Sequence, residues 1–303
     1  ARARDAAGNA RLILNTDRFH RLLDRADDLM ARIERVVPEP PPRVPKGDVV
    51  AWRWRRTGRG GGGFVPVERP AAVALDDLRG IDDQKAALAR NTRQFVADLP
   101  CNNALLWGAR GTGKSSLVKA LLAAHRDEGL RLIEVDATDL VDLPDIVEPL
   151  AERRERFVVF ADDLAFDADD AGYRALKAVL EGSVAGAPDN VVIYATSNRR
   201  HLMPEFQSEN RDTRAVDGEI HPGEAVEEKI SLSERFGLWL SFHPFRQDAY
   251  LEIVEAWLRR IDPELAFDET AREAALQWAL ARGARSGRVA RQFALDWAGR
   301  ARL

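Results

Sequence analysis

The sequence predicts an α/β fold: a five-stranded parallel sheet flanked by helices, with a small helical domain at the C-terminus. Three observations carry this. Gly108-Ala109-Arg110-Gly111-Thr112-Gly113-Lys114-Ser115 satisfies G-x-x-x-x-G-K-[ST] between a strand-like and a helix-like run. Downstream, helical and strand patterns alternate, as a parallel sheet requires. From Asp248 onward the pattern is helical to the end, with Tyr250, Ile253, Val254, Trp257 and Leu258 at helical spacing.

A chain of 303 residues accommodates about two domains, or one α/β domain with an attachment. Hydrophobic residues make up 45% and charged residues 31%, the balance of a soluble globular protein. A net charge of −4 supplies no general attraction to nucleic acid, although a local basic patch remains open. Cys101 is the only cysteine, so no internal disulfide forms, which agrees with a reducing cytoplasm. No apolar run approaches the roughly 18 residues of a membrane span, and no signal-peptide pattern opens the chain. The first residue is Ala rather than Met, and a preceding N-terminal piece is expected.

Residues 11–37 carry Leu12, Phe19, Leu22, Leu23, Leu29, Ile33 and Val36 at helical spacing, and Pro38-Glu39-Pro40-Pro41-Pro42 stops that helix. Ala51-Trp52-Arg53-Trp54-Arg55-Arg56 alternates apolar and basic residues; after the tip Gly60 to Gly63, Phe64-Val65-Pro66-Val67 returns. A hairpin packed on the domain explains the alternation; stacking of the tryptophans on nucleic acid is the alternative. Leu75 to Asp82 leads into a helix running to about Val96. Asn103 to Trp107, Leu130 to Val135, Phe157 to Phe160, Val191 to Ala195 and Leu238 to Phe242 are the five strands. Leu143 to Glu152 and Ala171 to Glu181 read as helices. Residues 199–229 read as a long loop, a length that points to function or disorder. The expected divisions are 1–45 (helix and Pro-rich linker), 46–74 (hairpin-like extension), 75–244 (α/β core) and 245–303 (helical lid).

The glycines let the loop turn tightly, so that successive backbone N–H groups form a nest for phosphate oxygens, and the following helix adds its positive end. Gly108, Ala109, Arg110, Gly111, Thr112, Gly113, Lys114, Ser115 and Ser116 are therefore the phosphate-binding candidates of a P-loop NTPase. Lys114 has the reach for the β and γ phosphates, and the Ser115 hydroxyl can ligate Mg²⁺. About fifty residues on, Phe157-Val158-Val159-Phe160 runs into Asp162-Asp163, the Walker B arrangement. Asp162 is the second metal candidate, and Asp163 is placed to orient or deprotonate the attacking water. Asn198, ending the next strand, can hydrogen-bond the water or the γ-phosphate; alone, Ser197-Asn198 would read as a turn.

A P-loop, Walker B, an Asn-ended strand, Ser233-Glu234-Arg235-Phe236 and a helical lid together resemble the AAA+ ATPases. The resemblance implies a sensor 1 role for Asn198 and an arginine-finger role for Arg235. A finger acts on a neighbouring subunit's ATP, so a homo-oligomeric ring or spiral, in the family manner a hexamer, is implied; a surface salt bridge is the alternative for Arg235. In Gly283-Ala284-Arg285-Ser286-Gly287-Arg288-Val289-Ala290-Arg291 it implies sensor 2, with Arg288 favoured over Arg285 and a solvated basic face as the alternative. Ile81 is the apolar candidate beside adenine. More narrowly, Leu106 to Ser116, Tyr194 to Leu202 and Glu227 to Leu240 look like the bacterial AAA+ family listed as domain of unknown function 815. The resemblance implies ATP and Mg²⁺ as ligands and an unidentified protein client. One departure stands out: Asp163 occupies a position where Glu is usual, and its shorter side chain implies slow turnover or reliance on another group. An ATP hydrolase driving change in a partner is the leading reading. A slowly hydrolysing switch or scaffold, favoured by Asp163, and a DNA-acting loader, hinted at by Arg53, Arg55, Arg56, Arg199 and Arg200, are the alternatives.

Overall fold

A computed structural model of the chain describes residues 25, 41–45, 48–57, 61–166, 170–181, 188–198, 214–216, 219–221 and 232–302. Two compact units are present, Ala1–Pro41 and Pro42–Leu303. The helix expected over 11–37 lies, apart from Arg25, outside the described residues.

In the larger unit, strands β1 (Ala51–Arg56) and β2 (Gly62–Pro66) precede helix α1 (Asp82–Val96). Then come β3 (Ala104–Gly108), α2 (Lys114–His125), β4 (Leu130–Val135), α3 (Leu143–Val147), β5 (Arg156–Ala161), α4 (Ala171–Glu181) and β6 (Val191–Ser197). The short β7 (Arg214–Val216) and β8 (Glu219–His221) are followed by β9 (Leu238–Phe242) and the helices α5 (Gln247–Ile261), α6 (Glu269–Ala281) and α7 (Gly287–Arg300). The main sheet runs β2-β1-β4-β5-β6-β3-β9. The five expected strands are its parallel core. β1 adds to it in parallel with β4, and β2 closes the edge antiparallel to β1, so the sheet has seven strands.

The apolar strands sort their side chains by period two onto two faces, as a sheet covered on both sides requires. Leu106, Val158, Phe160 and Tyr194 pack with Leu88 of α1 and Leu117 and Leu121 of α2 in one core. Their neighbours Leu105, Phe157, Val159 and Ile193 face a second core with Ile146 of α3 and Leu176 of α4. The three lid helices share the first core through Tyr250, Ala275 and Phe293.

The hairpin belongs to the second core, which settles its two readings. Trp52 and Trp54 are 1% and 2% exposed, so neither ring is open to a base. Trp54 packs edge-on against Phe64 with centroids 5.0 Å apart. The intervening arginines pair with carboxylates: Arg53 with Glu134 at 2.6 Å, Arg55 with Asp136 at 2.9 Å and Arg56 with Asp142 at 3.2 Å.

Two local details differ from expectation. The stretch from Leu143 is not one helix: it breaks after Val147 into a 3₁₀ turn, Glu148–Leu150. Pro149 lacks the N–H that an α-helix would need there. Within the expected loop 199–229, β7 and β8 pair antiparallel, Arg214 opposite His221 and Val216 opposite Glu219. The intervening Asp217-Gly218 is the residue pair a two-residue hairpin turn prefers.

Replacing Trp54 by Ala should lower the unfolding free energy by about 3–5 kcal/mol, while Arg55→Ala, at an exposed pair, should change it by less than about 1 kcal/mol. Urea denaturation of both variants measures this, and equal small losses would mean that the hairpin is not part of the core.

Candidate active site

Segments far apart in sequence end at one edge of the sheet. β3 lies between β6 and β9, and the chain leaving it crosses past β6 and β5 to form β4. Such a reversal opens a crevice at the carboxyl ends of the strands. The loop entering it from β3 needs its glycines: φ is +125° at Gly108, +74° at Gly111 and +107° at Gly113, values a Cβ resists. Gly108 also makes the closest approach, since a Cβ there would stand 2.0 Å from the Phe242 carbonyl oxygen. That carbonyl accepts the Ala109 N–H at 2.9 Å, tying the loop to β9. Among the described residues, none accepts a hydrogen bond from the N–H of Arg110, Gly111 or Gly113.

Lys114 opens α2 and is buried. Its Nζ donates to Gly108 O and Ala109 O, each at 2.8 Å, and to Asn198 Oδ1 at 3.2 Å. Burial pulls the ammonium pKa below its usual value, against the opposing pull of Asp163 and Asp162. Ser115 Oγ donates to Asp162 Oδ1 at 2.6 Å. The same oxygen receives Thr196 Oγ1–H at 2.5 Å. Thr196 Oγ1 in turn accepts the Asp163 N–H at 2.8 Å. Asp163 has φ +56°, and its Oδ1 accepts from Asn198 Nδ2.

The lid closes the crevice. Ser286 caps α7, its Oγ accepting the Val289 N–H at 3.3 Å, and Arg288 N donates to Gly111 O at 3.3 Å. A cavity of about 650 Å³ results, lined by Arg110 to Ser116, Asp162, Asp163, Asn198 and Arg288; Gly108 and Ala109, also expected to bind phosphate, are not part of its wall. Leu78, Ile81, Ile253, Trp257 and Leu295 supply apolar parts of the same wall, Ile81 lying close to the loop, where a Cβ on Gly113 would stand 3.3 Å from its Cδ1. Arg285 does not line the cavity; its carbonyl accepts the Phe245 N–H at 3.0 Å. Nor does Arg235, whose guanidinium pairs with Glu181 at the end of α4. Arg235 sits on a firm turn, between buried Leu232 and Phe236, with Trp239 Nε1 donating to Ser233 O at 2.7 Å.

The Ser115 hydroxyl and the Asp162 carboxylate form a hard-oxygen pair that fits Mg²⁺, which takes few protein ligands and keeps several waters. No cluster of three or more His, Cys, Asp or Glu occurs among the described residues, so a site demanding many side-chain ligands has no counterpart there. Residues missed by sequence reasoning also meet here. Thr196 is one; Trp257 and Arg291, whose guanidinium lies 5.3 Å from the Trp257 ring centroid, are others. The signal for Arg291 was its i+3 spacing from Arg288 on α7.

The family model described as "Protein of unknown function (DUF815)" matches residues 47–301. The chain belongs to that family. No curated protein matches this DUF815 chain. Solved structures similar to it include the Thermotoga maritima RuvB Holliday junction branch migration motor, at 15% identity over 73% of this chain and 62% of that one, TM-score 0.47. Aeropyrum pernix Orc1 in complex with DNA is 17% identical over 70% and 58%, TM-score 0.47, and the FIGL-1 AAA domain in complex with ADP is 17% identical over 73% and 71%, TM-score 0.46. The DUF815 chain thus spans about six tenths of the RuvB and Orc1 chains, and likenesses this distant say nothing about its activity. No helix among the described residues is long and apolar enough to cross a membrane.

Gly108→Ala should lower the unfolding free energy by more than about 1 kcal/mol. Gly299→Ala, where a Cβ meets nothing within 4 Å in α7, should be neutral or slightly stabilising. Thermal unfolding of the two variants compares them, and a neutral Gly108→Ala would contradict the close packing of the loop on β9.

Proposed function

We propose that the chain binds ATP with Mg²⁺ and hydrolyses it, the cycle moving the lid and, through it, an unidentified protein partner. The convergence of Lys114, the Ser115–Asp162 pair, the Asp163–Asn198 pair and Arg288 on one cavity carries this reading. The loop N–H groups and the α2 N-terminus are suited to the phosphates. Lys114, held by two loop carbonyls, would exchange these for phosphate oxygens. Ser115 and Asp162 would hold Mg²⁺, which neutralises charge on the phosphates when bound. Asp163 is assigned to orient or deprotonate the attacking water, with Asn198 fixing its carboxylate. Arg288 approaches the phosphates from the lid. Ile81, Leu78 and Trp257 supply apolar wall suited to the base.

Arg235 stands away from the cavity of its own chain. That position suits a finger offered to a neighbouring copy in a ring or spiral, after release from Glu181. A second reading, a slowly hydrolysing switch, is favoured by Asp163 itself: its carboxylate is short and engaged by Asn198. Arg53, Arg55 and Arg56, which hinted at the DNA-acting reading, pair with Glu134, Asp136 and Asp142; Arg199 and Arg200 lie outside the described residues. A cytoplasmic setting rests on the single cysteine.

Steady-state phosphate release from Mg-ATP tests this. Lys114→Ala should abolish turnover, and Asp162→Ala should reduce it by about 100-fold or more. Turnover equal to wild type in both the Lys114 and the Asp162 variant would remove the hydrolase reading. Specific activity should also rise with protein concentration in the wild type and stay flat in Arg235→Ala; identical concentration profiles would remove the finger assignment.

A further inference from the structure

The ends of β5 and β6 hold a device that the nucleotide reading does not require by itself. The two strands pair in parallel up to Ala161 opposite Ala195. One residue later the ladder changes character. The Thr196 backbone carbonyl accepts the N–H of Leu164 at 2.7 Å, while its side-chain hydroxyl accepts the N–H of Asp163 at 2.8 Å. Thr196 thus takes two consecutive N–H groups where a regular ladder position would take one. The second bond accompanies the left-handed turn at Asp163, φ +56°. Asp tolerates that conformation better than most side chains, because its short polar group bonds locally. The single Thr196 proton goes to Asp162 Oδ1 at 2.5 Å, beside the Ser115 hydroxyl. Thr196 is 1% exposed, so its own hydroxyl has no water to bond in place of these two partners.

We propose that Thr196 is a positioning residue for the hydrolysis assigned above: one hydroxyl holds the Asp162 carboxylate at the metal position and, through the Asp163 amide, aims the Asp163 carboxylate. The inference rests on that functional reading and deepens it. It also accounts for Asp at a position where a longer acid would be expected. A carboxylate carried by a left-handed residue leaves the strand in a different direction from one carried by extended backbone, so side-chain length alone does not set its reach. Thr196 itself touches neither phosphate nor water in this assignment; it acts through the two aspartates.

Thr196→Val removes the hydroxyl and keeps the shape, while Thr196→Ser keeps the hydroxyl. In the full chain, Thr196→Val should lower kcat by about 10–100-fold and raise the Mg²⁺ concentration needed for half-maximal turnover. The affinity for ATP measured in EDTA should stay within about threefold of wild type, and Thr196→Ser should restore kcat to within about threefold. A readout independent of turnover is hydrogen exchange at the Asp163 amide in the nucleotide-free protein: protection should fall in Thr196→Val and persist in Thr196→Ser. Wild-type turnover and metal dependence in Thr196→Val would overturn the assignment, as would a Thr196→Ser variant that binds ATP in EDTA yet is as slow as Thr196→Val. Should Thr196→Val fail to fold, Thr196→Ser decides by the same criteria. A wild-type protein that binds ATP but never hydrolyses it would instead refute the hydrolase reading, and this inference with it.

Discussion

One carboxylate oxygen ties the molecule's separate parts together. Asp162 Oδ1 receives the hydroxyl of Ser115 from the first turn of α2 and the hydroxyl of Thr196 from the end of β6, while Asp162 itself follows β5. Hydrogen bonds to an ionised oxygen are among the stronger ones available to a protein. This oxygen is therefore a junction at which the glycine-rich loop, two neighbouring strands and the candidate metal position share one geometry. A shift in any of the three elements would be felt at the other two.

The junction depends on the sheet behind it. Strands β3, β5 and β6 reach the crevice in register because their alternate side chains are divided between two apolar cores, and a slip by one residue would exchange the faces. The hairpin extends one of those cores through Trp52 and Trp54 rather than offering them to a ligand. The lid is joined to the other core through α5 and α7, which brings the α7 N-terminus against Gly111 O. The lid packing and this bond together hold the start of α7 beside the glycine-rich loop.

The features legible in the sequence were those whose chemistry is local. The glycine spacing 108-111-113 and the residues Lys114 and Ser115 are contiguous, and their φ requirements follow from the motif alone. Asp162 and Asn198 were readable because each ends a short apolar run whose strand identity is plain. Thr196 was not, since its importance lies in being opposite the end of β5, a fact of register that no single segment carries. Trp257 was equally ambiguous: at helical spacing from Ile253 it has the signature of a core residue, and only the fold puts it on the cavity wall. The break at Pro149 has a local signal in the proline itself. Whether the hairpin joined the sheet was decided by pairing between β1 and β4, far apart along the chain.

In the proposed function, the loop and the lid grip one ligand. A double-mutant cycle on ATP affinity, using Lys114→Ala, Arg288→Ala and the combined variant, tests it most directly. If both side chains hold the same triphosphate, their effects should couple by about 0.5 kcal/mol or more. Strict additivity, or an Arg288→Ala variant that binds ATP as wild type does, would mean that the lid does not hold the ligand of the loop.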